Sequence, residues 1–165
     1  MQRLYAFDTE THLVRPGQIA PKLVCVSIAH ATEPVRLLDA KDGLAWFRAA
    51  IQDPEITLVG HHAPYDLGVM CGEDPSLTAL VFHAIDAGRV RCTLLRERLL
   101  DCADGKLVSE RVVGYYSLDK ICQRRLQTPP LDKGEDGWRL RYAELDGVPL
   151  AEWCLRALGL TGGGR

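Results

Sequence analysis

Leu4-Tyr5-Ala6-Phe7-Asp8-Thr9-Glu10-Thr11 is the stretch that decides the fold. Its apolar and aromatic opening reads as a buried strand. It closes on two carboxylates one residue apart. Side chains alternate across a strand, so Asp8 and Glu10 leave the same face. Two acids converging inside a fold repel unless a cation neutralises them, and hard ions such as Mg²⁺ and Mn²⁺ take oxygen ligands of this kind. Read alone, the same residues describe a strand entering a solvated acidic turn.

Working outward, Lys22 to Ala29 reads as a second strand and Pro34 to Leu38 as a third, close enough in sequence to pair as an antiparallel hairpin. Asp42 is placed to cap a helix whose apolar positions are Leu44, Phe47, Ala50 and Ile51. Ile56 to Gly60 is a fourth strand reached by a helical crossover. A helix starts near Ala63-Pro64, and a second helical piece covers about Leu77 to Ala87. Val90 and Cys92 mark a short fifth strand. Thr93 to Cys102 is helical with Leu95, Leu99 and Cys102 on one stripe, and Ser117 caps a helix with Leu118, Ile121, Cys122 and Leu126 on its apolar face. Trp138, Arg141, Tyr142 and Leu145 fit one more short helix, and Pro149 to Leu158 the first turns of another. Strands, helix and strand in this order predict a mixed sheet with helices packed on it.

At 165 residues, 47% hydrophobic and 25% charged, the chain fits a single α/β domain over residues 1–165. Its net charge of −2 does not by itself announce a nucleic-acid binder. The six cysteines are scattered without a C-x-x-C pair, which argues against a zinc ribbon or a thioredoxin-type site. No signal peptide and no apolar run long enough to cross a bilayer is seen, so the expected setting is the cytoplasm, with no membrane partner. Basic residues gather between Arg89 and Arg125, either to guide a nucleic-acid strand or as ordinary solvated helix faces.

Gly60-His61-His62-Ala63-Pro64-Tyr65-Asp66 follows the fourth strand. An acid in the first turn of a helix sits near the positive end of the dipole, which favours its ionised form. If the fourth strand lies beside the first, Asp66 approaches Asp8 and Glu10.

Together these motifs resemble the DEDD superfamily of 3′–5′ exonucleases, also called DnaQ-like or ribonuclease H-like. The first motif is similar to Phe7-Asp8-Thr9-Glu10-Thr11. The second, G-H-N-x-x-[FY]-D, is similar to Gly60 through Asp66, with His62 where Asn is usual. The C-terminal third looks most like the proofreading domains of family A DNA polymerases. The resemblance implies a five-stranded ribonuclease H-like sheet in the order 3-2-1-4-5, flanked by helices. It implies 3′–5′ exonuclease activity on DNA or RNA 3′ ends, releasing nucleoside monophosphates by two-metal-ion hydrolysis with Mg²⁺ or Mn²⁺. Asp8, Glu10 and Asp66 would be the catalytic metal ligands. Thr9, Thr11, His62 and Tyr65 would line the pocket for the terminal nucleotide. A single-stranded 3′ end is the implied partner, and a DNA polymerase a further one.

The family's third motif, Y-x-x-x-D or H-x-x-x-x-D on a C-terminal helix, is read as missing, because the chain stops soon after Trp153-Cys154. The expectation is a C-terminally incomplete domain, with two ions in the full family site and one here. The competing reading is a catalytically inactive nucleic-acid-binding module or partner subunit of the same fold. Asp136, Glu144, Asp146 and Glu152 are read as solvated or capping acids, not replacements.

Overall fold

The structure, a computed structural model, describes residues 2–107, 114–130 and 141–153. Its central strand is β1, Arg3–Thr11. The chain continues through β2 (Leu23–His30), β3 (Glu33–Asp39), α1 (Ala40–Gln52), β4 (Ile56–Gly60) and α2 (Ala63–Glu73). A 3-10 turn at Pro75–Leu77 leads into α3 (Thr78–Asp86), followed by β5 (Val90–Cys92), α4 (Thr93–Ala103) and α5 (Leu118–Leu126). Two further 3-10 turns lie at Tyr142–Leu145 and Leu150–Glu152. The strands form one five-stranded sheet in the order β3-β2-β1-β4-β5. β2 runs antiparallel to β1 and β3, and β4 runs parallel to β1 and β5. The sheet order and the antiparallel pairing of β2 with β3 are those expected from the sequence.

Alternation along β1 separates the two faces. Tyr5, Phe7 and Thr9 are buried, while Leu4, Ala6 and Asp8 between them are exposed. The buried side joins Val26, Ile28 and Leu58 of neighbouring strands to Phe47 and Ile51 of α1, Leu67 and Met70 of α2, and Val81 and Ala84 of α3. Gly43 lets α1 lie close on this face: a Cβ there would fall 2.4 Å from Val26 Cγ2.

Several local expectations are corrected. The α1 cap is Asp39, not Asp42; the carboxylate of Asp39 accepts the Asp42 N–H at 2.8 Å, because β3 runs directly into the helix. The apolar stripe of α4 is not its buried side. Leu95 and Leu99 are 49% and 70% exposed, whereas Glu97 is 6% exposed and ion-paired with Arg125 at 3.0 Å. A salt bridge to α5, not an apolar seam, sets the rotation of that helix. On α5 only Ile121 of the expected apolar face is buried. The expected helix at Trp138 to Leu145 is a 3-10 turn over Tyr142–Leu145, and Trp138 lies outside the described residues. The next one begins as a 3-10 turn at Leu150–Glu152, with its continuation also outside them.

The basic run is largely engaged internally. Arg89 is buried and donates to the backbone carbonyls of Ile51, Asp53 and Ile56. Arg98 and Arg124 lie over the rings of Tyr116 and Tyr115. Among the described residues no helix is long and apolar enough to cross a membrane.

Candidate active site

Pairing between β1 and β4 stops at Ala6 and Val59. Beyond that point the two parallel strands separate, and α2 begins in the gap. Openings at the carboxyl ends of parallel strands are where such sheets place ligand sites. Gly60 makes the turn into α2 close: a Cβ there would sit 3.0 Å from the Ala63 Cβ and 3.6 Å from the Phe7 ring. His62 follows in the left-handed region with φ 65°. Asn, Asp and His are the side chains enriched at such φ values, so one backbone requirement accommodates both the usual Asn and the His found here.

Asp8 and Glu10 leave the face of β1 opposite the helices, as alternation requires. Their β2 neighbours are Ser27 and Cys25. Burial first, and then the charges of Glu10 and Asp8, push the Cys25 thiol up to about 12, so it lines the site as a neutral group. Desolvation also raises the Asp8 carboxyl.

Asp66 is 2% exposed. Its Oδ1 accepts the Thr9 backbone N–H at 3.0 Å and the Thr9 hydroxyl at 2.7 Å. It thus takes up an N–H of β1 beyond the last β4 pair, and it reaches β1 between the two other acids. Burial, with the charge of Asp8, raises its carboxyl to about 6 against the lowering effect of the Thr9 donors. Desolvation therefore outweighs the first-turn helix position, which on its own favours the ionised form. Thr9 is correspondingly 6% exposed and committed to Asp66, so its side chain supports an acid and does not face a ligand. Thr11, Tyr65 and His62 do form an outward cluster. Thr11 Oγ1 and Tyr65 Oη are 2.9 Å apart, and the His62 and Tyr65 rings stack at 6.4 Å and 12°.

The donor chemistry fits a hard divalent cation: among the described residues no Lys, Arg or His forms an ion pair with Asp8 or Asp66. The geometry is looser, because among the described residues no three His, Cys, Asp or Glu side chains are drawn together tightly enough to hold an ion. The candidate replacement acids do not join either. Asp146 is bound to Lys22 and His12 at 2.5 and 2.9 Å, Glu144 is forked by Arg141, Glu152 is exposed, and Asp136 lies outside the described residues.

One residue at the site was not expected. Tyr142 packs against the cluster that holds Cys25, the β2 neighbour of Glu10, and burial first, then the charge of Glu10, pushes its hydroxyl up to about 12. Its ring packs with Val24, Cys25, Leu145 and Trp153. The available signal was the spacing Tyr142-x-x-x-Asp146, which the structure splits between that cluster and Lys22.

Comparison with known proteins agrees with this architecture. A family model described as 3′–5′ exonuclease, of the DNA polymerase A type, matches residues 3–154. No curated protein matches the chain. Among solved structures, Escherichia coli RNase D, described as an exoribonuclease involved in structured RNA processing, is 18% identical with a TM-score of 0.56. That match covers 96% of this chain and 39% of RNase D, so the chain spans about two fifths of that neighbour. Brucella melitensis NrnC bound to pGG is 19% identical with a TM-score of 0.55, over 97% of this chain and 76% of NrnC. The Aedes aegypti Nibbler EXO domain is 18% identical with a TM-score of 0.56, over 96% and 82%. The chain belongs to the 3′–5′ exonuclease family.

Proposed function

We propose that this domain removes nucleoside monophosphates from single-stranded 3′ ends by metal-dependent phosphodiester hydrolysis, with DNA as the first substrate class and RNA beside it. The observation that supports this reading is that buried Asp66 is bonded to Thr9, the residue between Asp8 and Glu10, just beyond the last β1–β4 pair. A carboxyl raised by burial and by a like charge is one that a cation would relieve. Asp8, Glu10 and Asp66 would hold Mg²⁺ or Mn²⁺, which when bound supplies an activated water and stabilises the leaving 3′ oxygen. Thr11, Tyr65 and His62 offer an aromatic and hydroxyl surface on which a terminal nucleotide can stack and be held, with little dependence on sequence. The likeness to a structure described as an exoribonuclease supports testing both nucleic acids. A polymerase-type partner follows only from the family model.

A second reading is favoured by the absence, among the described residues, of a tight three-ligand cluster: a module that binds 3′ ends without cleaving them. Digestion of 3′-labelled DNA and RNA oligonucleotides with Mg²⁺ or Mn²⁺ separates the two. The first reading expects labelled mononucleotide release that EDTA abolishes and Asp8→Ala reduces by roughly 10²-fold or more. Binding of the oligonucleotide without metal-dependent release would establish the second.

A further inference from the structure

A groove of about 870 Å³ lies at the β5 edge of the sheet, between α4 and the start of α2. Leu4, Ile85, Leu95, Leu99 and Leu100 line it, and all of them are exposed. Successive helical residues are about 100° apart, so Glu97 leaves α4 on the side away from Leu95 and Leu99. Its ion pair with Arg125 therefore holds those leucines outward. Single apolar residues at a surface need no account, but a contiguous patch with a charged rim marks an interaction site.

The rim carries one sign of charge. Arg91 and Arg96 line the groove, and no Asp or Glu among the described residues lines it with them. Both arginines are exposed, and among the described residues neither forms an ion pair or a hydrogen bond. The other arginines of the same run are engaged within the chain: Arg89 on backbone carbonyls, Arg98 and Arg124 on tyrosine rings, and Arg125 on Glu97. Two cations without partners beside exposed leucines call for an occupant that is apolar and acidic together.

The lining also selects the kind of occupant. A small molecule is buried over about 70–90% of its surface by its pocket, and walls this exposed do not enclose one. Single-stranded nucleic acid is held on aromatic platforms, and the lining has none. The apolar face of an amphipathic helix, presented at i, i+3, i+4 and i+7, matches an open aliphatic groove.

We propose that the groove beside β5 docks an acidic amphipathic helix of a partner protein, with its apolar face on Leu95 and Leu99 and its carboxylates on Arg91 and Arg96. This surface is separate from Asp8, Glu10 and Asp66, and the proposal does not depend on the exonuclease reading.

The test is fluorescence anisotropy with a labelled synthetic peptide of about five helical turns, carrying Leu at i, i+3, i+4 and i+7 and Glu along both edges of that stripe. A second peptide has Lys in place of every Glu. The natural chain is expected to bind the Glu peptide at least about 10-fold more tightly than the Lys peptide at low ionic strength, with the gap narrowing in 1 M NaCl. Arg91→Glu combined with Arg96→Glu should reverse that order. Leu95→Ser combined with Leu99→Ser should weaken binding of the Glu peptide by about 10-fold or more. All four side chains are exposed, so these variants should keep the natural melting temperature. Equal affinity for the two peptides, no binding of the Glu peptide, or binding that survives the paired Leu substitutions would overturn the proposal. Two further results would also overturn it. Sedimentation of the natural chain as a dimer that the paired Leu substitutions dissociate would make the occupant a second copy. Displacement of the Glu peptide by an oligothymidylate would make it a nucleic acid.

Discussion

The two faces of the sheet are built from different physics. Toward the helices, Leu58, Phe47, Met70 and Leu77 have no accessible surface and interlock in one apolar cluster. On the other side, Leu4 is 47% and Val35 75% exposed; the apolar cluster there is a small one of Val24, Cys25, Leu145 and Trp153 beside Glu10, and next to it Lys22 and His12 hold Asp146. The comparison teaches where the chain keeps its stability and where it keeps its chemistry. The acid-bearing face leaves Leu4, Val35 and Asp8 exposed, whereas the helix face carries the larger apolar cluster.

Substitution of matched leucines gives the largest contrast. Leu58 and Leu4 lie on adjacent strands, one residue out of register and on opposite faces. Leu58→Ala removes a fully buried side chain and is expected to cost about 2–5 kcal/mol in denaturant unfolding. Leu4→Ala is expected to cost less than about 1 kcal/mol, since nearly half of the side chain is already in water. Equal losses would show that the acid-bearing face is covered as tightly as the other and would break the comparison.

Asp66 sharpens it next, being a charge placed among the buried groups. Its carboxyl is raised from an ordinary 3.8 to about 6. An acid with a raised value favours the fold fully below the unfolded value, and that contribution is lost as pH rises through the folded one. In the metal-free protein at pH 8 the ionised Asp66 therefore costs about 3 kcal/mol relative to a carboxyl without the shift. Asp66→Asn keeps an oxygen for the two Thr9 donors and removes the charge. We expect it to stabilise the metal-free chain by about 1–3 kcal/mol at pH 8 and by little at pH 4; on the metal-binding proposal, Mn²⁺ should raise the melting temperature of the natural chain and not that of the variant. A destabilising effect at pH 8 would mean that Asp66 is neutralised within the chain itself.

These contacts also mark how far the sequence could be read. The sheet was legible because runs such as Leu23 to Ile28 and Ile56 to Val59 are apolar and β-branched, and the single helical crossover before β4 dictates parallel pairing with β1. The shared face of Asp8 and Glu10 follows from alternation alone. The Thr9–Asp66 lock was not legible, because it depends on where the β1–β4 pairing ends. The rotation of α4 was misjudged for a related reason: Leu95, Leu99 and Cys102 have core periodicity, but the partner that decides the rotation is Arg125, 28 residues from Glu97. Tyr142 was legible only as a position in a short helix, because its spacing with Arg141 and Leu145 does not say that it packs on the cluster of Val24 and Cys25.

Asp146 provides the finest test, because it has the opposite pH sign to Asp66. Hydrogen bonding to Lys22 first, then to His12, holds its carboxyl below the usual range. A lowered acid stabilises the fold above its unfolded value, and that support disappears as pH falls through the folded one. The side chain is only partly buried, at 28% exposure, so screening limits its worth. Asp146→Asn is expected to cost less than about 1 kcal/mol at pH 7 and nothing measurable at pH 2.5, with the pH 7 loss shrinking further in 1 M NaCl. Its local effect should exceed its global one: amide exchange at Val148 and Leu145 should quicken while that at Leu58 stays unchanged. Faster exchange spreading to Leu58 would mean that the clamp holds the whole sheet. Exchange altered only beside Asp146 would mean that the acid-bearing face is ordered by its own ionic contacts, independently of the apolar cluster beneath it.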